Sequence, residues 1–164
     1  MATSIKRLLD QNQFILADGA TGTNLFLLGL ESGEAPEIWN ETQPNKIRTL
    51  YKNWVDAGCD LFLTNSFGSN RARLKLHGAQ HRAYALSFAA AEIGRDIVDQ
   101  TNRSVILAGS VGPIGEVMEP AGTLTHDDAV EIFHEQVEAL KNGGTDIIWL
   151  ETISCAREFR AAAE

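Results

Sequence analysis

The chain has 164 residues, of which 44% are hydrophobic and 22% are charged, so it carries enough apolar side chains for a folded core. Its 22 acidic residues outnumber its 14 Lys and Arg residues, and the formal net charge is -8. A chain of this charge repels phosphate backbones and anionic lipid, so we expect no nucleic-acid partner and no membrane partner.

The sequence also indicates the compartment. No apolar stretch approaches the roughly 20 residues that cross a bilayer, and the first residues lack the apolar core of a secretion signal. Two cysteines, Cys59 and Cys155, are too few and too isolated for a disulfide framework. We therefore expect a cytoplasmic protein that forms a single domain over residues 1–164.

Short apolar runs alternate with stretches of helical periodicity along the whole chain. A short helix over residues 5–9 is predicted first. The apolar runs that follow have the composition of strands buried on both faces of a parallel sheet, and they lie at residues 14–17, 61–64, 105–108 and 147–150. Each run except the last is followed by a stretch long enough for a right-handed crossover to the next strand.

The helices between these runs carry start and stop signals. Pro44 and Gly58 bracket a helix over residues 44–57, since proline suits a first helical turn and glycine a left-handed C-cap. A second helix is predicted between Gln80 and Gln100. Thr125 and Asp128 resemble a capping box that begins a third helix, and a fourth begins near Ala156. The pattern fits either an open doubly wound sheet or a (β/α)8 barrel.

In both architectures, ligands bind at the carboxyl ends of the strands. The first strand end carries Asp18 and then a loop of small residues, Gly19, Ala20 and Thr21, whose backbone a ligand can approach closely. The alternative for this loop is a tight connection without function. A dinucleotide site is disfavoured, because the glycines do not follow the GxGxxG spacing.

Polar residues also follow the later strands. Thr64, Asn65 and Ser66 come directly after the second run, the small residues around Ser110 follow the third, and Glu151 follows the fourth. A carboxylate at a buried strand end needs a cation or a hydrogen-bond donor, so Asp18 and Glu151 together suit an ammonium group. A capping role or an internal salt bridge is the alternative for Glu151. Trp39, in the loop after the first run, either shapes a pocket for a methylated cation or anchors its loop.

The four strand ends read ADGATGTNL, DLFLTNSFG, AGSVGPIGE and IIWLETIS. In this order they resemble the homocysteine S-methyltransferase family, and most closely its bacterial betaine-homocysteine methyltransferase-like members. The resemblance implies an α/β fold made of the first four βα units of a (β/α)8 TIM barrel, with parallel strands and outer helices.

The resemblance also implies roles for residues. Asp18, Gly19, Ala20 and Thr21 would hold the amino-acid end of homocysteine, with Glu151 receiving its ammonium group. Thr64, Asn65 and Ser66 would line the same pocket, and Trp39 and Phe67 would lie toward the methyl donor. Animal betaine enzymes carry tyrosines at two places where this chain has Gly68 and Thr152, so sulfonium and methylamine donors stay open beside betaine.

The family holds zinc with three cysteines, and the metal makes the homocysteine thiolate accessible near neutral pH. Neither Cys59 nor Cys155 matches these positions, so the ligands are expected beyond residue 164 and no zinc is expected on this chain alone. The function implied is transfer of a methyl group from betaine or a similar onium donor to homocysteine, which gives methionine. The alternative is an incomplete half-barrel that acts as a binding or assembly module. In either case we expect a homo-oligomer or a complementary second half-barrel.

Overall fold

The computed structural model describes residues 5–11 and 13–164. The α-helices are α1 (Ile5–Gln11), α2 (Thr21–Leu27), α3 (Trp39–Thr42), α4 (Pro44–Ala57), α5 (Arg71–Leu74), α6 (Ala83–Gln100), α7 (His126–Asn142) and α8 (Ala156–Ala163). The strands are β1 (Leu61–Leu63), β2 (Ile106–Val111) and β3 (Ile147–Leu150). Short 3-10 turns lie at Pro36–Ile38, Lys75–His77 and Gln80–Arg82.

The three strands form one parallel sheet in the order β1-β2-β3. Leu61 pairs with Ile106 between the first two strands, and Ala108 pairs with Ile147 between the last two. Helix α6 connects β1 to β2 and α7 connects β2 to β3, so each crossover is helical as predicted. The middle strand is buried along its whole length, which explains its continuous apolar sequence. The predicted α/β class with parallel strands is confirmed.

The strand predicted at residues 14–17 is present only in part. This segment makes a single parallel bridge, between Ala17 and Leu61, and its Leu16 carbonyl accepts a hydrogen bond of 3.2 Å from the Leu61 N–H. Phe14 is 73% exposed and Leu16 is 50% exposed. The segment lies beside β1 at the outer side of the sheet. A buried strand needs a neighbouring strand on each side, and a hydrophobic sequence alone does not provide the second one.

Most of the predicted helices are confirmed, together with their capping signals. Helix α4 has Pro44 in its first turn and ends at Gly58, whose φ of 102° is left-handed. At the start of α7, the Thr125 hydroxyl accepts a hydrogen bond of 3.1 Å from the Asp128 N–H. Both ends follow from local chemistry, because the cap residues satisfy backbone groups that the helix cannot pair internally.

Among the hydrophobic clusters that hold the helices to the sheet, two are the largest. In the first, α4 packs on β1, and the ring centroids of Tyr51 and Phe62 lie 5.1 Å apart. In the second, α7 and α8 pack around Phe133 and Val111. Within the described residues, the helices are all too short or too polar to cross a membrane.

Gly112, just after β2, packs tightly against the loop that follows β1. Its N–H donates to the Phe67 carbonyl at 3.0 Å, and a Cβ at this position would lie 2.7 Å from that same oxygen. It would also lie 2.5 Å from a carbon of the Phe67 ring. The two loops therefore touch without space for a methyl group.

We expect Gly112→Ala to lower the free energy of unfolding by about 1–3 kcal/mol, since the added carbon forces a backbone shift. Gly22→Ala is the matched control, because a Cβ there meets no heavy atom within 4 Å. Urea denaturation of the two variants measures the difference. Equal stabilities for Gly112→Ala and Gly22→Ala would contradict this close contact.

Candidate functional site

A cavity of about 410 Å³ opens at the carboxyl ends of the strands. The residues that line it come from the segment after residue 17, from the ends of β1 and β2, from the segments after β1 and β3, and from the 3-10 turn before α3. They are Asp18, Gly19, Ala20, Thr21, Gly22, Pro36, Glu37, Leu63, Thr64, Asn65, Phe67, Ser110 and Glu151. The strand ends singled out in the sequence therefore meet in one place.

Asp18 stands at the edge of the cavity next to the end of β1. Its carboxylate oxygen Oδ2 accepts a hydrogen bond of 2.9 Å from the Leu63 N–H, and its own N–H donates to the Leu61 carbonyl at 3.0 Å. Partial burial raises the pKa of Asp18 from 3.8 to about 6, against the lowering effect of the Leu63 N–H. The negative charge of Glu151 raises this pKa further.

Glu151 lies directly after β3, and a hydroxyl holds it in place. Its Oε1 accepts a hydrogen bond of 2.5 Å from the Ser110 hydroxyl. Its backbone N–H donates to the Val111 carbonyl at 3.0 Å and so continues the parallel pairing past the strand end. Thr152 then adopts a left-handed φ of 60°, which is strained for a β-branched residue and turns the chain away at this point.

Ser66 is fully buried and lies beneath the cavity instead of on its lining. Its hydroxyl donates to the Ser110 carbonyl at 2.8 Å and lies 2.6 Å from Thr64 Oγ1. Because the Ser66 proton is used on Ser110, the Thr64 hydroxyl must be the donor between these two oxygens. Gln136, from α7, donates to the Ser66 carbonyl at 2.6 Å.

Asn65 connects the loop after β1 to the loop before α3. Its side-chain Nδ2 donates to the Pro36 carbonyl at 2.8 Å and to Asn40 Oδ1 at 2.9 Å, which uses both amide hydrogens. Asn40 donates back to the Asn65 carbonyl at 2.8 Å. The Asn65 N–H donates to the Tyr51 hydroxyl, and burial raises the pKa of that phenol above its usual range. These contacts give Asn65 a positioning role in the cavity wall.

The structure adds two residues that sequence reasoning missed, Glu37 and Ser110. Glu37 is only 6% exposed, and its Oε1 accepts a hydrogen bond of 2.7 Å from the Gly68 N–H. Burial raises the pKa of Glu37. Nothing in the sequence marks this glutamate as buried, because it lies in a loop far from any strand end. Ser110 did carry a signal, since it occupies the third strand end between the two acids.

The structure places the two aromatic residues that were assigned to the methyl donor in different surroundings. Phe67 lines the cavity. Trp39 is packed in the hydrophobic core with Lys46 Nζ 4.3 Å above its ring, and it is not among the described residues of the cavity lining. The loop that carries it folds into a 3-10 turn and α3, which the sequence analysis did not predict.

A zinc ion does not fit the residues described. Across residues 5–11 and 13–164, no group of three or more His, Cys, Asp or Glu side chains could hold a metal. Cys59 is buried, which raises its thiol pKa, and Cys155 is exposed. Neither thiol lines the cavity described above.

Comparisons with known proteins agree with this geometry. A model of the family described as homocysteine S-methyltransferase matches residues 15–164. Methionine synthase from Mycobacterium tuberculosis is 29% identical over 157 residues, and methionine synthase from Mycobacterium leprae is 28% identical over 159 residues. Each match covers 90% of this chain and 13% of the methionine synthase.

Solved structures give the same result for the fold. The homocysteine methyltransferase MmuM from Escherichia coli matches in its metallated form with a TM-score of 0.82 and 24% identity. Its oxidized form matches with a TM-score of 0.80 and 25% identity. Both matches cover 97% of this chain and 60% of the MmuM chain, so this chain spans only part of the length of the proteins it resembles.

We expect the Asp18 carboxyl to titrate near pH 6 in carbon-13 NMR spectra of the side-chain carboxyl groups. Its pKa in the folded chain exceeds the ordinary value of 3.8, so Asp18 contributes most stability below pH 3.8 and loses it as pH rises through about 6. Asp18→Asn should remove this dependence from urea denaturation. Glu151→Gln should lower the Asp18 midpoint, whereas Glu92→Gln, an exposed residue of α6, should leave it unchanged. A midpoint near 4 in the wild type would contradict the assignment.

Proposed function

This chain belongs to the homocysteine S-methyltransferase family, and from that premise we propose that it binds homocysteine for methylation to methionine. The observation that carries the proposal is the cavity at the strand ends, whose lining includes Asp18 and Glu151 together with the small residues that follow Asp18. Two carboxylates in a partly buried site suit the ammonium group of an amino acid.

We further propose that residues 1–164 are a single domain, the N-terminal half of a homocysteine-binding (β/α)8 barrel. The parallel sheet and the likeness to MmuM support this architecture. The exposed hydrophobic residues on the outer parts of the sheet, Phe14 and Leu16 at one side and Trp149 at the other, also favour a sheet that continues. A homo-oligomer or a complementary second half-barrel stays our prediction for what covers them, and a cytoplasmic location stays a prediction as well.

In the proposed complex, Glu151 receives the ammonium group of homocysteine. Its Oε1 already accepts from the Ser110 hydroxyl, and a carboxylate has about four acceptor positions, so capacity for a ligand remains. Asp18 and the backbone of Gly19, Ala20 and Thr21 hold the rest of the amino-acid end. Thr64 and Asn65 also line the cavity, and Ser66 keeps Thr64 and Ser110 in place from beneath.

The donor we propose is betaine or a similar methylated onium compound, and zinc is the proposed cofactor of the complete enzyme. The described residues do not provide a zinc site, so we assign the zinc ligands to residues outside this chain. When bound there, zinc would stabilise the thiolate form of the homocysteine thiol near neutral pH.

Glu151→Gln should weaken homocysteine binding by at least about ten-fold, because a charge-assisted hydrogen bond to the ammonium group is lost while the shape is kept. Isothermal titration calorimetry measures the dissociation constant. Glu92→Gln removes the same charge from an exposed position on α6 and should leave binding unchanged. Unchanged binding in Glu151→Gln would remove the role assigned to Glu151.

The complete polypeptide that carries this chain should form methionine from homocysteine when zinc and an onium donor are present. Methionine is measured by mass spectrometry, with betaine and a sulfonium donor in separate reactions. Absence of methionine with every onium donor, in a preparation that binds homocysteine and zinc, would contradict the proposed reaction.

A further inference from the structure

Along the whole of α7, one buried side chain is polar, that of Gln136. The other buried residues of this helix are all apolar, and two of them, Phe133 and Leu140, lie three residues before and four residues after Gln136 on the same face. Gln136 is fully buried, and it does not line the cavity at the strand ends. Any effect of Gln136 on that cavity must therefore pass through the residues that it contacts.

The side-chain amide of Gln136 joins two strand ends. Its Nε2 donates to the Ser66 carbonyl at 2.6 Å and makes a second, longer contact of 3.4 Å with the Ser110 carbonyl. Ser66 belongs to the loop after β1 and Ser110 to β2, so one amide group spans both. The nitrogen must be the atom that faces these carbonyls, because an amide oxygen at the same place would be repelled by them.

The oxygen of the same amide indicates why a glutamine stands here. Gln136 Oε1 is buried and has no hydrogen-bond partner among the residues that the structure describes. An unpaired buried acceptor costs free energy that an apolar side chain of the same shape would avoid. Among the described contacts of Gln136, the two made by Nε2 are the ones that can offset this cost.

From Ser110 the hydrogen bonds continue to Glu151. The Ser66 hydroxyl donates to the Ser110 carbonyl at 2.8 Å, so Ser66 and Gln136 both contact that oxygen. The Ser110 hydroxyl in turn donates to Glu151 Oε1 at 2.5 Å. A shift of the Ser110 backbone would move its hydroxyl, and with it the carboxylate of Glu151. Close-packed interiors transmit such shifts because they have little free space to absorb them.

We propose that Gln136 is a positioning residue for homocysteine binding, which fixes Ser66 and Ser110 so that Glu151 lies where the ammonium group binds. This inference rests on the proposed function, in which Glu151 receives that group, and it adds a residue of the outer helix layer to the site. A carboxylate that is already in place needs no reordering when the ligand arrives. Loss of the Gln136 contacts should therefore weaken the interaction with the ammonium group in particular.

The test uses a ligand that lacks the ammonium group. 4-Mercaptobutanoate has the thiol and the carboxylate of homocysteine but no amino group, so it makes no charge-assisted hydrogen bond to Glu151. Gln136→Met keeps the approximate shape of the side chain and removes the N–H donor. Calorimetric titration into the complete polypeptide should show homocysteine binding weakened by about five-fold, with 4-mercaptobutanoate within about two-fold of wild type.

Ile132→Val is the matched control for a change in the core. Its side chain is also buried in α7 and has no hydrogen-bonding group, so both ligands should stay within about two-fold of wild type. Gln136→Asn keeps an amide but draws it back by one methylene group. It should cause the same selective loss for homocysteine, which keeps the proposal testable if Gln136→Met does not fold.

A double-mutant cycle tests the route through Glu151. In Glu151→Gln the charge is already absent, so adding Gln136→Met should weaken homocysteine by less than about two-fold further. A further loss of about five-fold in this background would mean that Gln136 acts elsewhere, and the inference would be overturned.

The outcomes distinguish this inference from the function it rests on. Equal losses for homocysteine and 4-mercaptobutanoate, or a loss in Gln136→Met no larger than in Ile132→Val, would mean that Gln136 only supports the fold. Either result would overturn the inference and leave homocysteine binding in place. A wild type that does not bind homocysteine would overturn the proposed function, and this role of Gln136 with it.

Discussion

Ser110 is the residue through which the strand ends of this chain are held together. Its N–H donates to Thr64 Oγ1 at 3.0 Å, its carbonyl accepts from Ser66 at 2.8 Å, and its hydroxyl donates to Glu151 at 2.5 Å. These groups lie at the buried ends of parallel strands, where each unpaired polar atom would be costly. The polar residues after β1 therefore pair with the serine near the end of β2, and that serine in turn holds Glu151.

Hydrogen bonds from the scaffold also orient the acids of the cavity. Each accepts a hydrogen bond from the scaffold: Asp18 from the Leu63 N–H, Glu37 from the Gly68 N–H, and Glu151 from the Ser110 hydroxyl. A carboxylate accepts about four hydrogen bonds, so each acid is oriented by the protein and keeps capacity for a ligand. Orientation before binding reduces the entropy that a ligand must overcome, and it is what a specific small-molecule site needs.

The sequence predicted the parts of this arrangement that local patterns determine. Strands β1, β2 and β3 are apolar runs with turn residues after them, and α4 and α7 carry caps that act within a few residues. Both the strands and the helices could therefore be predicted from the local sequence, without knowledge of the fold. The segment at residues 14–17 has the same pattern as a strand but makes one bridge, because strand formation depends on neighbours. Glu37 could not be predicted, since only the fold brings its loop against Gly68. The burial of Trp39 depends on the same loop folding back onto α4.

Two acids of the cavity, Asp18 and Glu37, differ in their surroundings. Asp18 is partly buried and faces the charge of Glu151, and its pKa of about 6 leaves it close to protonation at neutral pH. A cation placed between the two acids would favour the ionised form of Asp18, so cation binding and proton release are linked at this residue. Glu37 lines the same cavity, and burial is the largest influence on its pKa. The acids of one cavity thus lie in two different environments.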